Sequence, residues 1–445
     1  MPAGHKEELL DKLNQRSATV VVVGLGYVGL PLACALAEAG HSVIGIDLSI
    51  EKVRGINGGV SHIEDVPPSQ IKHLVNQRRL SATNDYGSAA KADVAIIAVP
   101  TPIDEYRVPD LGFVRSAALS LANVVSRGTL IVLESTTYPG TTEDVIVPAF
   151  RDRGYAPGVD LFIGYSPERI DPGNRDWHIG NTPKVVSGLT KSCLELVIAL
   201  YGSITSTLVP VSNIRTAEIE KLFENIFRGV NIALVNEFQV ICDAFNIDIW
   251  EVIKACSTKP YGYMTFYPGP GLGGHCVPVD PFYLAWKARQ LNINTEFIEL
   301  SGRVNARMPE YVVHKVEQLL NARQRALNGA KVGLLGVAYK KNSSDVRESP
   351  AIKIIELLLK EGAIVTYHDP HVAELRVNGH TLHSEPGLNE FLAGQDCAVV
   401  VADHASIDWA VVLRYAPMVV DTRNALGRLN AAAATFSFPT EGGTD

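Results

Sequence analysis

Residues 19–29 read Thr-Val-Val-Val-Val-Gly-Leu-Gly-Tyr-Val-Gly, and this stretch decides the fold. A run of four valines is the composition of a strand buried on both faces. The GxGxxG that follows it (Gly24, Gly26, Gly29) opens a helix expected over residues 27–39, and residues 42–47, SVIGID, form the next strand. GxGxxG alone is a weak signal. Between a strand and a helix each glycine has its own role. Gly24 permits the tight turn, Gly26 lets backbone approach a pyrophosphate, and Gly29 lets helix and strand pack closely. The helix start then faces the phosphate charge. Asp47 ends the second strand, 18 residues after Gly29. There it can accept hydrogen bonds from ribose hydroxyls and repel the extra phosphate of NADP. Leu48 and Ser49 follow, with no basic residue immediately beside the aspartate. The expected cofactor is NAD.

Working outward, short apolar runs at residues 93–99 (DVAIIAV) and 130–134 (LIVLE) continue the alternation of strand and helix. That alternation implies a parallel, doubly wound sheet. It returns near the C-terminus with strands at 331–336 (KVGLLG), 364–369 (IVTYHD), 397–402 (CAVVVA) and 418–421 (MVVD), and a helix at 350–361. Where the first domain has its glycines, the second has Tyr339, Lys340 and Lys341. Those cations suggest a phosphate group held by charge; a structural duplicate that binds nothing is the other reading. Between the two, residues 216–246 read as one long helix, with Phe223, Ile226, Phe227, Val230, Leu234 and Phe238 at helical spacing. A helix of that length suits a spine and a dimerisation element. The expected architecture is α/β: two Rossmann-like doubly wound parallel-sheet domains joined by a long central helix. The boundaries expected are an N-terminal extension 1–18, a NAD-binding domain 19–210, a central helical domain 211–315 for catalysis and dimerisation, a second α/β domain 316–430, and a tail 431–445. Both ends read as irregular.

Composition removes several function classes. The formal net charge of the 445 residues is -8, which gives no electrostatic support for nucleic-acid or anionic-membrane binding. No apolar run approaches the roughly 20 residues that span a bilayer, and residues 1–18 lack the apolar core of a signal peptide. Six cysteines (Cys34, Cys193, Cys242, Cys256, Cys276, Cys397) lie far apart with no CxxC pair. They read as reduced thiols of a cytoplasmic protein, and no metal site is expected.

The most informative stretch for chemistry is 268–281, PGPGLGGHCVPVDP. Its four glycines and three prolines up to Val279 describe a rigid, close-approach loop leading into one thiol, Cys276. Backbone amides in such a loop can lower a thiol pKa and stabilise an oxyanion. The nucleophile reading is set against a buried structural thiol, and the glycine density favours the nucleophile. Asp280 lies one helical turn on and shares the pocket if this segment starts a helix. His275 has no second or third ligand at metal spacing. On the long helix, Lys221, Asn225 and Arg228 fall at i, i+4 and i+7. A lysine and an amide aimed into a cleft can stabilise an alkoxide or a tetrahedral oxyanion. The equal alternative is a solvated face with Glu218 paired to Lys221.

Taken together the chain resembles the UDP-glucose/GDP-mannose dehydrogenase family from residue 19 to 428. The matching pieces are VVGLGYVGLP (22–31), AVPTP (98–102), ESTTYPGTT (134–142), SPER (166–169), EIEKLFEN (218–225), the 268–276 loop and GVAYKKNSSDVRESP (336–350). The wording of ESTTYPGTT, SPERIDPGN and YPGPGLGGHCVPVDPFYL is similar to the branch that acts on UDP-N-acetylglucosamine in O-antigen and capsule synthesis. The resemblance implies Cys276 as nucleophile, Lys221 and Asn225 as oxyanion stabilisers, and Glu168 as general base. It makes Thr136 and Asp280 the groups that order the hydrolytic water. It places NAD on Gly24, Gly26, Tyr27, Val28, Gly29, Asp47, Pro100, Thr101, Thr136 and Arg347. It places the UDP-sugar on Glu168, Arg169, Lys221, Asn225, Arg228, Tyr267, Gly273, Lys340 and Arg423, the last two reaching the diphosphate from a UDP-sugar-binding C-terminal domain. A homodimer or higher homo-oligomer is implied as well.

Two departures stand out. UDP-glucose enzymes have a second glutamate where this chain reads Asp171-Pro172, and a lysine where it has Val279. Both fit the N-acetyl branch, with UDP-glucose, UDP-N-acetylmannosamine and GDP-mannose as alternative substrates. A β-hydroxyacid dehydrogenase shares the first domain and the KxxxN helix but has no use for the GGHC loop or a second α/β domain. A sugar-nucleotide binding protein without turnover would be expected to have lost Cys276 or Lys221, and both are present.

Overall fold

The computed structural model describes residues 4–104, 107–170, 174, 176–274 and 277–427. They fall into two compact units. The first holds the described residues up to Glu224 together with Phe282–Ile293, and the second holds Asn225–Pro281 and those from Asn294 onward. This division differs from the three-domain partition expected above, because the boundary falls inside the long helix instead of before and after it.

The first unit is built on strands β1 (Thr19–Val23), β2 (Ser42–Ile46), β3 (Leu80–Thr83), β4 (Val94–Ile97), β5 (Leu130–Leu133), β6 (Phe162–Tyr165), β7 (Lys184–Gly188) and β8 (Leu208–Pro210). They form one sheet in the order β3-β2-β1-β4-β5-β6-β7-β8, parallel except where β7 meets β6. The valines of β1 are buried on both faces, at no more than 2% exposure, as their composition requires. The order reverses between β1 and β4, and in open α/β sheets ligands bind outside the strand carboxyl ends at such a switch point.

The N-terminal segment corrects the expectation of an irregular extension. His5–Asn14 is a helix whose Leu9 and Leu13 are buried in the core of this unit, and its Lys12 pairs with Asp93 at 2.8 Å. Two leucines one turn apart are enough to dock a short helix, but too few to announce one in a charged stretch. The tail 431–445 lies outside the described residues.

The long helix is Ile214–Ala244, 31 residues. The sequence reading overran its C-terminus, because Asn246 adopts φ +56° and turns the chain out of the helix. Of its apolar set, Ile226 turns inward at 7% exposure, whereas Phe223, Phe227, Leu234 and Phe238 stand exposed.

In the second unit β9 (Lys331–Leu335), β10 (Ile364–His368), β13 (Cys397–Val400) and β14 (Val419–Asp421) form a parallel sheet in the order β10-β9-β13-β14. The hairpin β11 (Glu374–Val377) and β12 (His380–His383) stands apart as its own small sheet. The helix Pro350–Lys360 packs Ile354, Ile355 and Leu358 into the core under that parallel sheet. A second long helix, Glu296–Ala322, was not anticipated; Pro309 inside it interrupts the usual sequence signal. No helix among the described residues is long and apolar enough to cross a membrane.

Candidate active site

The dinucleotide turn sits at the end of β1. Gly24 has φ +93°, and a Cβ there would stand 2.5 Å from the Ala98 carbonyl oxygen. A Cβ on Gly29 would overlap the Gly24 carbonyl, so the helix Gly29–Glu38 can start this close to the turn only without one. Gly26 is the opposite case: a Cβ there meets nothing within 4 Å. Open space over that backbone, and a helix start capped by no side chain, fit the pyrophosphate of a dinucleotide. Tyr27 and Val28 lie in the same turn, Tyr27 packed partly buried against the core. Asp47 accepts from the Leu25 amide at 3.0 Å and from the Ser49 amide at 2.9 Å, which fixes its carboxylate beside the turn. Two neighbours escaped the sequence reading. His62 Nε2 donates to the Leu25 carbonyl at 2.7 Å, and Lys52 Nζ stands 3.5 Å from the Asp47 carboxylate. Lys52 is brought there by the first turn of the helix Ile50–Asn57, five residues on, where inspection of immediate neighbours does not reach. Pro100 and Thr101 follow β4, and the Tyr283 hydroxyl pins this loop by donating to the Thr101 and Pro102 carbonyls at 2.9 and 3.2 Å.

The same unit gathers a second group of predicted residues. β5 leads into Glu134 and then Thr136, which is partly exposed, and β6 leads into Glu168 and Arg169. Lys221 and Glu168 are each 7% exposed. The lysine donates to the Glu168 carbonyl at 2.7 Å and lies 3.5 Å from its carboxylate. Glu168 Oε1 is buried and has no hydrogen-bond partner among the described residues, a state rare enough in native proteins to call for an explanation. Arg169 bridges to Glu220 and, at 2.7 Å, to Glu224, and donates to the Pro183 carbonyl at 3.1 Å.

The solvated-face reading of Lys221 is overturned. Glu218 is fully buried and binds the Gly140 amide at 2.5 Å, the Thr142 amide at 2.9 Å and the Thr142 hydroxyl at 2.7 Å. It therefore holds the 134–142 segment in place of Lys221. Burial pushes its carboxyl up to about 7, against the opposing pull of those donors.

In the second unit Asn225 donates to Asp280 at 2.5 Å, both buried, and Asp280 is the first residue of the helix Asp280–Gln290. Arg228 is exposed. Cys276 and His275 lie outside the described residues, as does Pro172; Val279 is partly buried. The loop before the cysteine is anchored by a side chain that sequence reasoning missed. Asn236, three turns past Asn225 on the same helix, accepts from the Gly269 amide at 2.9 Å and donates to Asn305 at 2.9 Å. A Cβ on Gly273 would stand 2.6 Å from Tyr339 Cβ, and Gly274 donates to the Arg347 carbonyl at 3.2 Å. Gly273 and Gly274 thus serve close packing against the 337–350 loop. Arg423 lies alongside: a Cβ on Gly269 would be 2.7 Å from its guanidinium. Tyr267 is 59% exposed and stacks on Trp250. Arg347 is paired with Asp345 at 2.6 Å, and Lys340 is partly exposed.

Asp369 ends β10 as Asp47 ends β2, but its carboxylate is spent. It accepts from the amides of Val337 at 2.6 Å and His371 at 2.8 Å and from His404 Nε2 at 3.1 Å, while His404 Nδ1 accepts from the Asn342 amide at 2.9 Å. Burial acts to raise its carboxyl, yet these donors, His404 first, hold it below the ordinary range. An aspartate so saturated has no capacity left for a ribose, in line with a second domain that does not enclose a dinucleotide. The described cysteines are free thiols, and burial pushes Cys34 and Cys397 up to about 12, so neither is a nucleophile at neutral pH.

Models of the UDP-glucose/GDP-mannose dehydrogenase family match the chain at residues 18–205 (NAD binding domain), 215–307 (central domain) and 333–428 (UDP binding domain). The UDP-N-acetyl-D-glucosamine 6-dehydrogenase of Pseudomonas aeruginosa is 38% identical over 356 residues, 80% of this chain and 83% of that protein. Protein CapL of Staphylococcus aureus is 39% identical over 352 residues, 79% of this chain and 81% of CapL. Among solved structures, the UDP-D-ManNAc dehydrogenase of Pyrococcus horikoshii matches with a TM-score of 0.84 at 31% identity, covering 92% of this chain and 96% of that one. With matches in family order along nearly its whole described length, the chain belongs to the UDP-glucose/GDP-mannose dehydrogenase family and is an NAD-dependent UDP-sugar dehydrogenase.

Proposed function

We propose that this enzyme oxidises the C6 hydroxymethyl of UDP-N-acetyl-D-glucosamine to the carboxylate, a four-electron oxidation that passes through a thioester on Cys276. The observation that carries the reading is the buried Glu168 carboxylate, with one oxygen unpartnered among the described residues, beside the buried Lys221 ammonium. Such an oxygen has the capacity to take a proton from a substrate hydroxyl. Lys221 and Asn225 stabilise the charge that develops on the C6 oxygen. NAD, when bound at the Gly24–Gly29 turn, supplies the hydride acceptor for both oxidations. The Cys276 thiolate adds to the C6 aldehyde, the charge passing to the oxygen, which takes up a proton, and the resulting thiohemiacetal can lose a hydride to give the thioester, where hydride loss from the free aldehyde would leave an acylium ion. Thr136 and Asp280 order the water that cleaves the thioester, releasing the acid and restoring the thiol. Lys340 and Arg423 hold the diphosphate of the substrate, and Arg347 is assigned to the pyrophosphate of NAD.

The sugar assignment rests on the 38% identity to the N-acetylglucosamine enzyme of Pseudomonas aeruginosa. A second reading, the C2 epimer UDP-N-acetylmannosamine, has the Pyrococcus horikoshii structure in its favour. NADH formation with UDP-N-acetylglucosamine, UDP-N-acetylmannosamine, UDP-glucose and GDP-mannose separates them. The expected kcat/KM is highest for UDP-N-acetylglucosamine, about tenfold or more above UDP-glucose, since a site built to hydrogen-bond a substituent rejects the analogue lacking it. A preference for any other member of the panel overturns the assignment.

The apolar stripe of the long helix belongs to the same proposal. Phe227, Leu234, Phe238 and Ile241 are 41–52% exposed and recur every three to seven residues. A stripe on one helix is self-complementary about a two-fold axis, and a second copy of the chain is its proposed cover. Light scattering is expected to give a dimer or a multiple of it, and Leu234→Lys with Phe238→Lys to shift the mass toward the monomer; a wild-type monomer at micromolar concentration would rule this out.

A further inference from the structure

Two buried lysines of the first unit hold consecutive carbonyls. Lys221 donates to Glu168 at 2.7 Å, and Lys184, which has no part in the proton transfers above, donates to Pro167 at 3.2 Å. Lys184 opens β7 and is 9% exposed. Its ammonium also pairs with Glu134 at 2.9 Å and lies over the Tyr201 ring, 4.7 Å from its centroid. Glu134 is 2% exposed, follows β5 directly and stands two residues before Thr136. The carboxylate, the carbonyl and the ring face are all groups of the fold itself, so the Lys184 charge is engaged within the protein. A desolvated ion pair also contributes little net stability compared with apolar packing of the same volume. What the pair does fix is geometry. It ties the chain leaving β5, which carries Thr136, to the chain leaving β6, which carries Glu168, and Glu134, Lys184, Glu168 and Arg169 line one pocket.

The geometry points to Lys184 as a positioning residue: through Glu134 and the Pro167 carbonyl it sets where the Glu168 carboxylate stands. This rests on the reading of Glu168 as the base. Displacing a reacting group by about 1 Å costs on the order of a hundredfold in rate, and that sets the scale expected.

The test uses the full chain. Lys184→Met alone strands a buried carboxylate and endangers folding, so the informative variant is Lys184→Met with Glu134→Gln, which removes both charges together. It is expected to bind NAD and UDP-sugar with wild-type affinity while kcat falls roughly tenfold to a hundredfold. Lys184→Arg, which keeps the pair and a donor for Pro167, is expected to recover most of the rate. Glu168→Gln runs beside them. If Glu168→Gln turns over normally, the base reading fails and the proposal with it. If Glu168→Gln is slow but the double variant keeps wild-type kcat, the proposal alone is wrong. Loss of NAD binding in the double variant also overturns it, because the pair would then hold the domain together instead of placing the base.

Discussion

Cys276→Ala is expected to abolish steady formation of the uronate while leaving NAD and UDP-sugar binding nearly intact. The first oxidation needs only an alcohol, a base and an acceptor, which the variant still has. The second needs a tetrahedral centre bearing a hydrogen, and without the thiol the aldehyde reaches that state only as its hydrate. Removing a covalent nucleophile costs about a millionfold where it has been measured in a hydrolase; here the hydrate route sets a floor, and a loss of roughly a thousandfold or more in uronate formation is expected. Given the C6 aldehyde directly, the alanine variant should form no covalent adduct. Cys276→Ser goes further: its alkoxide is a poorer leaving group than a thiolate, so an ester should accumulate and show in the intact-protein mass after mixing with UDP-sugar and NAD. Wild-type turnover by the alanine variant, with two NADH per sugar, would reduce Cys276 to a packed thiol in a glycine-rich loop.

What could be read from the sequence is what local chemistry alone decides. The expectations for Gly24, Gly26 and Gly29 follow from a strand on one side and a helix on the other, and the structure shows a tight turn at Gly24, open space over Gly26 and close packing at Gly29. The buried β1 is legible in its four valines, and the KxxxN spacing in the 31-residue helix Ile214–Ala244. The side chains that hold the site were not legible, because their partners are remote in the chain. Glu218 reaches Gly140 across 78 residues, Asn236 reaches Asn305 across 69, and His404 reaches Asp369 across 35. On the sequence Glu218 looked like a surface partner for Lys221 at helical spacing; only the fold turns it the other way, toward the amides of the 134–142 segment. The N-terminal helix failed for a related reason, since two leucines acquire meaning only from the core that receives them. Lys184 looked like an ordinary strand residue, and nothing near it in sequence names Glu134 or Pro167 as its partners.

Lys221→Ala is expected to lower kcat by about a hundredfold to a thousandfold, the usual cost of removing one donor from a developing oxyanion, with little change in NAD affinity. The structure sharpens this expectation. Lys221 is 7% exposed, held by the Glu168 carbonyl at 2.7 Å and set 3.5 Å from the Glu168 carboxylate, so it is no part of a solvated face. Its loss leaves that carboxylate buried without its nearby cation. Lys221→Arg tests the geometry separately from the charge: guanidinium is larger and planar, and in a pocket sized for an ammonium it is expected to rescue only part of the rate. The NAD dissociation constant, followed by fluorescence titration, serves as the control, because the Gly24–Gly29 turn owes nothing to Lys221. Retained kcat in the alanine variant would remove the lysine from the reacting oxygen.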